Sequence, residues 1–259
     1  MKKILNLAFL LLACFVISSC SDDGVATQAP VIRDYQTDAR ILSRFVDINK
    51  TMGEYYINEN KKNSPLAYIS DKDWQELQEV NPVNKTKFEN DLRTLNAQLE
   101  TAAKRPDVSQ IVYSTYGETW VRTISEDAPF TVEKNNTANT RSARSTYAHM
   151  ELIYDPNGFP QYASFTTGRQ VRSEIDVNLF GYKYYFIEIV CKIDASKNPT
   201  NVGGNNPKSI VLSGSTSMEH YSFTWTANSS DTSIYWQFEG KQHAPSEFGG
   251  SLIKVDFMD

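Results

Sequence analysis

From Asp107 to the end of the chain, apolar and aromatic residues alternate with polar ones in short runs, and clusters of turn residues recur between the runs. This period of two constrains the fold more than any other feature, because each run is a strand with one buried and one solvated face. Ile111 to Tyr116 and Thr119 to Ile124 read as the first two strands. Tyr147 to Tyr154 is expected to pair with Gln161 to Phe165 across Asp155-Pro156-Asn157-Gly158, and Tyr221 to Ala227 with Ile234 to Phe238 across Asn228-Ser229-Ser230-Asp231. Arg169 to Val177 is expected to turn near Gly181 and return to Ile193, while Ile253, Val255 and Phe257 mark a last strand. About nine or ten strands exceed what one flat sheet in a chain of this size holds, which predicts an antiparallel β-sandwich, with a β-barrel as the alternative.

Residues 34–106 carry a helical period instead. Ile41, Phe45, Ile48, Met52 and Tyr55 are spaced by fours and threes, which predicts a helix from Tyr35 to Asn58. Ser70-Asp71-Lys72-Asp73 caps a shorter helix running to Val80, with Trp74 and Leu77 on its apolar side and Asn81-Pro82 at its end. Phe88, Leu92, Leu95, Leu99 and Ala102 predict a third helix from Asn84 to Lys104, stopped by Pro106. The chain is therefore expected to be α+β and mainly β, with an N-terminal helical arm of two or three helices at 34–106 followed by the antiparallel β domain at 107–259.

Ahead of the helices, Lys2 and Lys3 precede an apolar run from Ile4 to Ile17 and then Ser18-Ser19-Cys20. The run is short for a permanent membrane helix, and its basic head and small-residue exit have the plan of a secretory signal peptide. Ile17-Ser18-Ser19-Cys20 resembles the lipobox of bacterial lipoproteins, and Ser21-Asp22-Asp23-Gly24 resembles the acidic export signal of Bacteroidetes surface lipoproteins. The resemblance implies cleavage before Cys20, diacylglycerol on its thiol, a signal peptide at 1–19 and a lipidated tether at 20–33. The membrane is then a partner through the lipid anchor at Cys20. The anchor is expected in the outer membrane with the domain at the cell surface, and a periplasm-facing anchor is the alternative.

Removing residues 1–19 takes away Lys2 and Lys3 and no acid, so 26 basic residues become 24 against 31 acidic ones and the formal charge moves from −5 to −7. Such a chain lacks the basic face that neutralises phosphates, which excludes nucleic acid as a partner. Cys14 leaves with the signal and Cys20 carries lipid, so Cys191 is the remaining thiol. It shares a strand face with Tyr185, Ile187, Ile189 and Ile193, which places it in the core with a raised pKa and not as a nucleophile. His149, His220 and His243 fall in no metal or protease motif, and Pro245 prevents His243 and Glu247 from acting as a helical ligand pair. No Gly-x-Ser-x-Gly elbow or phosphate loop is present, so the sequence assigns no catalytic residue, metal or cofactor.

Aromatic residues make up 12% of the chain, with 14 tyrosines and 4 tryptophans, and they concentrate in the strand region. Exposed Trp and Tyr on a rigid sheet stack on sugar rings. Trp120, Tyr182, Tyr184 and Tyr235 are the candidate ligand-binding residues, whereas Trp225 and Trp236 alternate with Phe223 and Phe238 and are expected in the core. These features predict a non-catalytic surface binding protein for an extracellular glycan. A scaffold whose helices dock an envelope protein is the first alternative, and a hydrolase with residues converging from separate strands is the second.

Overall fold

The structure is a computed structural model in which residues 33–65, 67–126, 130–135, 145–155, 157, 159–179, 181, 184–194, 208–216, 218–243 and 252–259 are described. Cys20, its tether and Tyr182 lie outside them. The first helix, α1 (Tyr35–Arg44), starts at Asp34, whose carboxylate accepts the Thr37 N–H at 2.8 Å. It stops at Arg44 and does not reach Asn58 as the spacing predicts. In its place β1 (Val46–Asn49) and β2 (Glu54–Ile57) form a hairpin. Val46 and Ile48 are β-branched and favour the strand. The Asn49 carboxamide accepts the N–H groups of Thr51 and Met52 at 3.2 Å, and Gly53 closes the turn at φ +74°. Met52, expected on the apolar stripe, is 59% exposed.

The next two helices follow the sequence closely. In α2 (Asp71–Gln78), Ser70 and Asp73 form a capping box. In α3 (Pro82–Ala103), Asn81 is the N-cap and Pro82 opens the first turn, so the pair that ends one helix also starts the next. The buried Asp38 of α1 accepts from Asn81 N–H at 3.0 Å and from the Asn84 amide at 2.7 Å, which ties α1 to the start of α3.

The remaining strands are β3 (Val108–Thr115), β4 (Glu118–Thr123), β5 (Phe130–Lys134), β6 (Thr146–Leu152), β7 (Gln161–Thr167), β8 (Gln170–Asn178), β9 (Tyr185–Asp194), β10 (Lys208–Gly214), β11 (Met218–Ala227), β12 (Ile234–Gln242) and β13 (Leu252–Met258). They form a six-stranded sheet in the order β4-β3-β10-β9-β12-β7 and a five-stranded sheet in the order β5-β11-β8-β13-β6. The mainly β sandwich is as expected, and neither sheet closes into a barrel. The β3–β4 hairpin is also as expected, with Tyr113 opposite Trp120, but β3 runs parallel to β10.

The other three expected hairpins do not pair. β6 and β7, β8 and β9, and β11 and β12 each lie in opposite sheets. Instead β6 pairs with β13, β7 with β12, β8 with β11 and β9 with β10, the first strand of eight with the last and so inward. That nested pairing is a jelly roll, to which β5 and the β3–β4 pair add flanking strands. A turn sequence reverses the chain without stating which sheet receives it. The inward residues of β11 and β12 meet across the core, with Trp225 and Phe238 5.1 Å apart in a T-shaped pair.

The six-stranded sheet is covered on both faces. Its inner face, including Ile187, Ile189, Cys191, Leu212 and Trp236, packs against Val171, Ile175, Phe223, Trp225 and Phe257 of the other sheet. Burial pushes the Cys191 thiol well above its ordinary pKa, as expected for a core cysteine. Ile111, Tyr113, Phe186 and Val211 on the outer face share a second cluster with Leu42 of α1 and Leu92, Leu95 and Leu99 of α3. The Lys61 ammonium, itself buried, donates to the Val46 carbonyl at 2.6 Å and the Tyr116 carbonyl at 3.1 Å, which holds the β3–β4 turn under the segment around Ala67. Gly117 in that turn has φ +82°, and a Cβ there would stand 2.0 Å from Ala67 Cβ. Gly117→Ala is therefore expected to cost at least about 2 kcal/mol, measurable as a lower urea midpoint.

Candidate binding cleft

The jelly-roll topology sends the β6–β7, β8–β9, β10–β11 and β12–β13 connections out at one end. The registers show this alignment, since Leu152, Ile253, Val177 and Glu219 form one row across β6, β13, β8 and β11. At this end α1 and the β3–β4 turn supply a further wall, enclosing an open cleft of about 420 Å³. Five serines and threonines line it, Ser43, Ser114, Thr115, Thr119 and Thr216, together with Tyr116 and the charged Arg40, Arg44, Glu118 and Glu219. Arg44 is paired with Asp73, and Glu118 with Lys50 at 2.5 Å.

Glu219 is the unusual member. On β11 it occupies the inward register, continuing the series Ala227, Trp225, Phe223 and Tyr221, but at the end of the sandwich where the core gives way to the cleft. Burial pushes its carboxyl above the ordinary range, against the opposing pull of the Thr216 hydrogen bond, the Lys134 charge and a hydrogen bond from Ser114. Thr216 Oγ1 donates to Glu219 Oε1 at 2.5 Å. The Lys134 ammonium lies 5.0 Å from the Tyr221 ring centroid, and burial lowers its pKa while Glu219 acts the other way.

Beneath this floor the core is threaded by hydroxyls. The Tyr185 and Tyr221 hydroxyls are hydrogen-bonded to each other, and burial raises the pKa of both. Tyr55 Oη accepts the Ser114 N–H at 2.9 Å and donates to the Ser213 carbonyl at 3.0 Å, which connects the helical layer to the same cleft wall. Gly214 makes the seam possible, because a Cβ at that position would stand 2.3 Å from Tyr185 Oη.

The described aromatic candidates do not come together. Trp120 on β4 is half-buried against Tyr113, with ring centroids 4.9 Å apart, and faces the helical layer. Tyr184 is half-buried against that layer too, and burial raises its pKa. The opposite register of Tyr184 marks the outer face of the sheet, which at this strand is covered by helices and not by water. Tyr235 sits on the outer face of β12, four strand positions from β4 and so roughly 19 Å across the sheet. Sequence reasoning missed Arg40, Glu118, Thr216 and Glu219. For Glu219 a signal exists, since it is the acid that interrupts an otherwise apolar inward series on β11.

On the outer face of the five-stranded sheet, His220 is bracketed by Asp176 at 2.6 Å and Glu174 at 2.7 Å, and His149 by Asp256 at 2.7 Å and Glu151 at 3.4 Å. The Asp256 hydrogen bond outweighs desolvation and raises the His149 pKa. Among the described residues no group of three or more His, Cys, Asp or Glu is arranged to hold a metal ion, and no helix is long and apolar enough to cross a membrane.

No protein-family model and no curated protein sequence matches this chain. Among solved structures, the C-terminal domain of EclA, a sugar-binding protein, is similar at 12% identity over 47% of this chain and 83% of that domain, with a TM-score of 0.24. At that TM-score the likeness carries no argument about function.

Proposed function

We propose that this chain is a lipid-anchored envelope protein whose jelly-roll domain binds an extracellular glycan in the cleft beside Glu219. The carrying observation is the half-buried Glu219 carboxyl on the floor of an open cleft walled by Ser43, Ser114, Thr115, Thr119 and Thr216. Such a lining offers alternating donors and acceptors at close range, which is what the hydroxyls of a sugar require. The signal peptide and lipobox support the envelope location, and the acidic residues after Cys20 support the cell surface.

The test is retention of the full-length protein on immobilised β-glucan, xylan, mannan and starch. Retention on at least one is expected, and Glu219→Gln should weaken that binding at least about tenfold, or 1.4 kcal/mol. Glu219→Gln should also raise the unfolding midpoint at pH 7. A carboxyl whose folded pKa is raised loses stability as pH climbs through the range between its unfolded and folded values, and the amide removes that loss. Weaker binding joined to higher stability is the signature of a residue kept for its ligand. Lack of retention on all four polysaccharides would overturn the reading.

A second reading, hydrolysis of the bound chain, has one observation in its favour, that Glu118 and Glu219 line the same cleft. A carboxyl with a raised pKa and a second carboxylate are the pair that glycoside cleavage uses. New reducing ends released from the retained polysaccharide, and lost in both Glu118→Gln and Glu219→Gln, would favour cleavage over binding alone.

A further inference from the structure

A second cleft of about 550 Å³ opens at the ends of β11, β8 and β13, lined by Asp176, Asn178, His220, Leu252 and Lys254. It shares Met218 and Glu219 with the first. We infer that the two clefts are one groove and that it takes an extended, uncharged polysaccharide chain of several sugar units, an inference that rests on the glycan reading of the first cleft.

Three observations carry it. The clefts meet at Met218 and Glu219, which line both, and each has a volume in the range of about 300 to 1,000 Å³ usual for ligand sites. The charges of the combined lining cancel, with Arg40, Arg44 and Lys254 against Glu118, Asp176 and Glu219, although the whole chain carries −5. A groove built for a polyanion would carry an excess of cations, and this one carries none. Met218, 72% exposed at the junction, offers an adaptable apolar surface to the C–H face of a sugar.

Isothermal titration of the detergent-solubilised full-length protein with cello-, xylo-, manno- and malto-oligosaccharides of increasing length tests the inference, with oligogalacturonides as the charged comparison. In the series that binds, affinity is expected to rise at least about tenfold from disaccharide to pentasaccharide. The double variant His220→Ala, Lys254→Ala should bring the pentasaccharide down to the affinity of the disaccharide. Asn178→Trp, which fills the second cleft without breaking an ion pair, should do the same. Affinity independent of length overturns the groove while leaving glycan binding by the first cleft intact. Tighter binding of oligogalacturonides than of any neutral series overturns the uncharged ligand. Absence of binding by every series removes the glycan reading itself.

Discussion

Trp225→Ala is expected to destabilise the protein by about 4 kcal/mol and to do so in a single transition that melts the sheets and the helical layer together. Trp225 is fully buried in the middle of the sandwich, where its ring meets Phe130 at 5.4 Å and Phe238 at 5.1 Å and its indole N–H donates to Ser173 Oγ at 2.7 Å. Truncation removes the transfer free energy of the ring, leaves a cavity between two sheets that cannot close up without shifting β11, and strands a buried hydroxyl. Trp225→Phe keeps most of the packing and should cost less than half as much. The single transition follows from the six-stranded sheet, whose two faces belong to the two hydrophobic clusters. Unfolding followed by tryptophan fluorescence and by far-ultraviolet circular dichroism checks this. Two separated transitions, with the helical signal surviving at the wild-type midpoint, would show that the helices fold independently.

Arg105→Ala is expected to cost about 3 kcal/mol at pH 7, and the penalty should shrink in acid. Arg105, just after α3, donates to Glu188 on β9 at 2.6 and 3.1 Å and is also paired with Asp107, while His243 at the end of β12 lies 3.2 Å from the same Glu188 carboxylate. Glu188 is only 3% exposed. Burial alone would push its pKa up, but His243 and Arg105 together outweigh burial and hold it down to about 2, against an ordinary value of 4.5. A carboxylate with a depressed folded pKa stabilises the fold above its unfolded pKa, and this stabilisation fades as pH falls from about 4.5 towards 2. Without Arg105 the buried charge keeps one partner, and protonation becomes relief instead of loss. Denaturant midpoints of the two proteins should therefore lie far apart at pH 7 and markedly nearer at pH 3, drawing together as pH falls towards 2. Arg105→Lys should fall between, because an ammonium cannot reproduce the forked contact with both carboxylates. An equal penalty at both pH values would place the effect in packing and not in the ion pair.

Much of the fold is legible in the residues themselves. Capping at Ser70 and Asn81, the stripe from Phe88 to Ala102 and the β3–β4 hairpin depend on neighbours in sequence, and local rules reach them. The jelly roll is not local. The segments Asp155 to Gly158 and Asn228 to Asp231 have the composition of hairpin turns, yet the strands on either side of each, β6 and β7, and β11 and β12, lie in opposite sheets. Spacing also misleads at Ile48 and Met52, where threes and fours coincide with a β-branched strand and a Gly53 turn. The candidate site was harder to see, since Arg40, Glu118, Thr216 and Glu219 come from α1, the β3–β4 turn and the start of β11, and only the fold makes them neighbours. Aromatic content points to Trp120 and Tyr184, but the helical layer that covers the outer face of β3 and β9 turns them into packing residues.

The most direct test of the site is hydrogen–deuterium exchange of the full-length protein with and without the polysaccharide it retains. Slower exchange is predicted at residues 114–119 and 218–220, with the end of α1 following them. Slower exchange around Tyr235 on β12, with 114–119 and 218–220 unchanged, would contradict the account by placing the ligand on the open sheet face and not in the cleft beside Glu219.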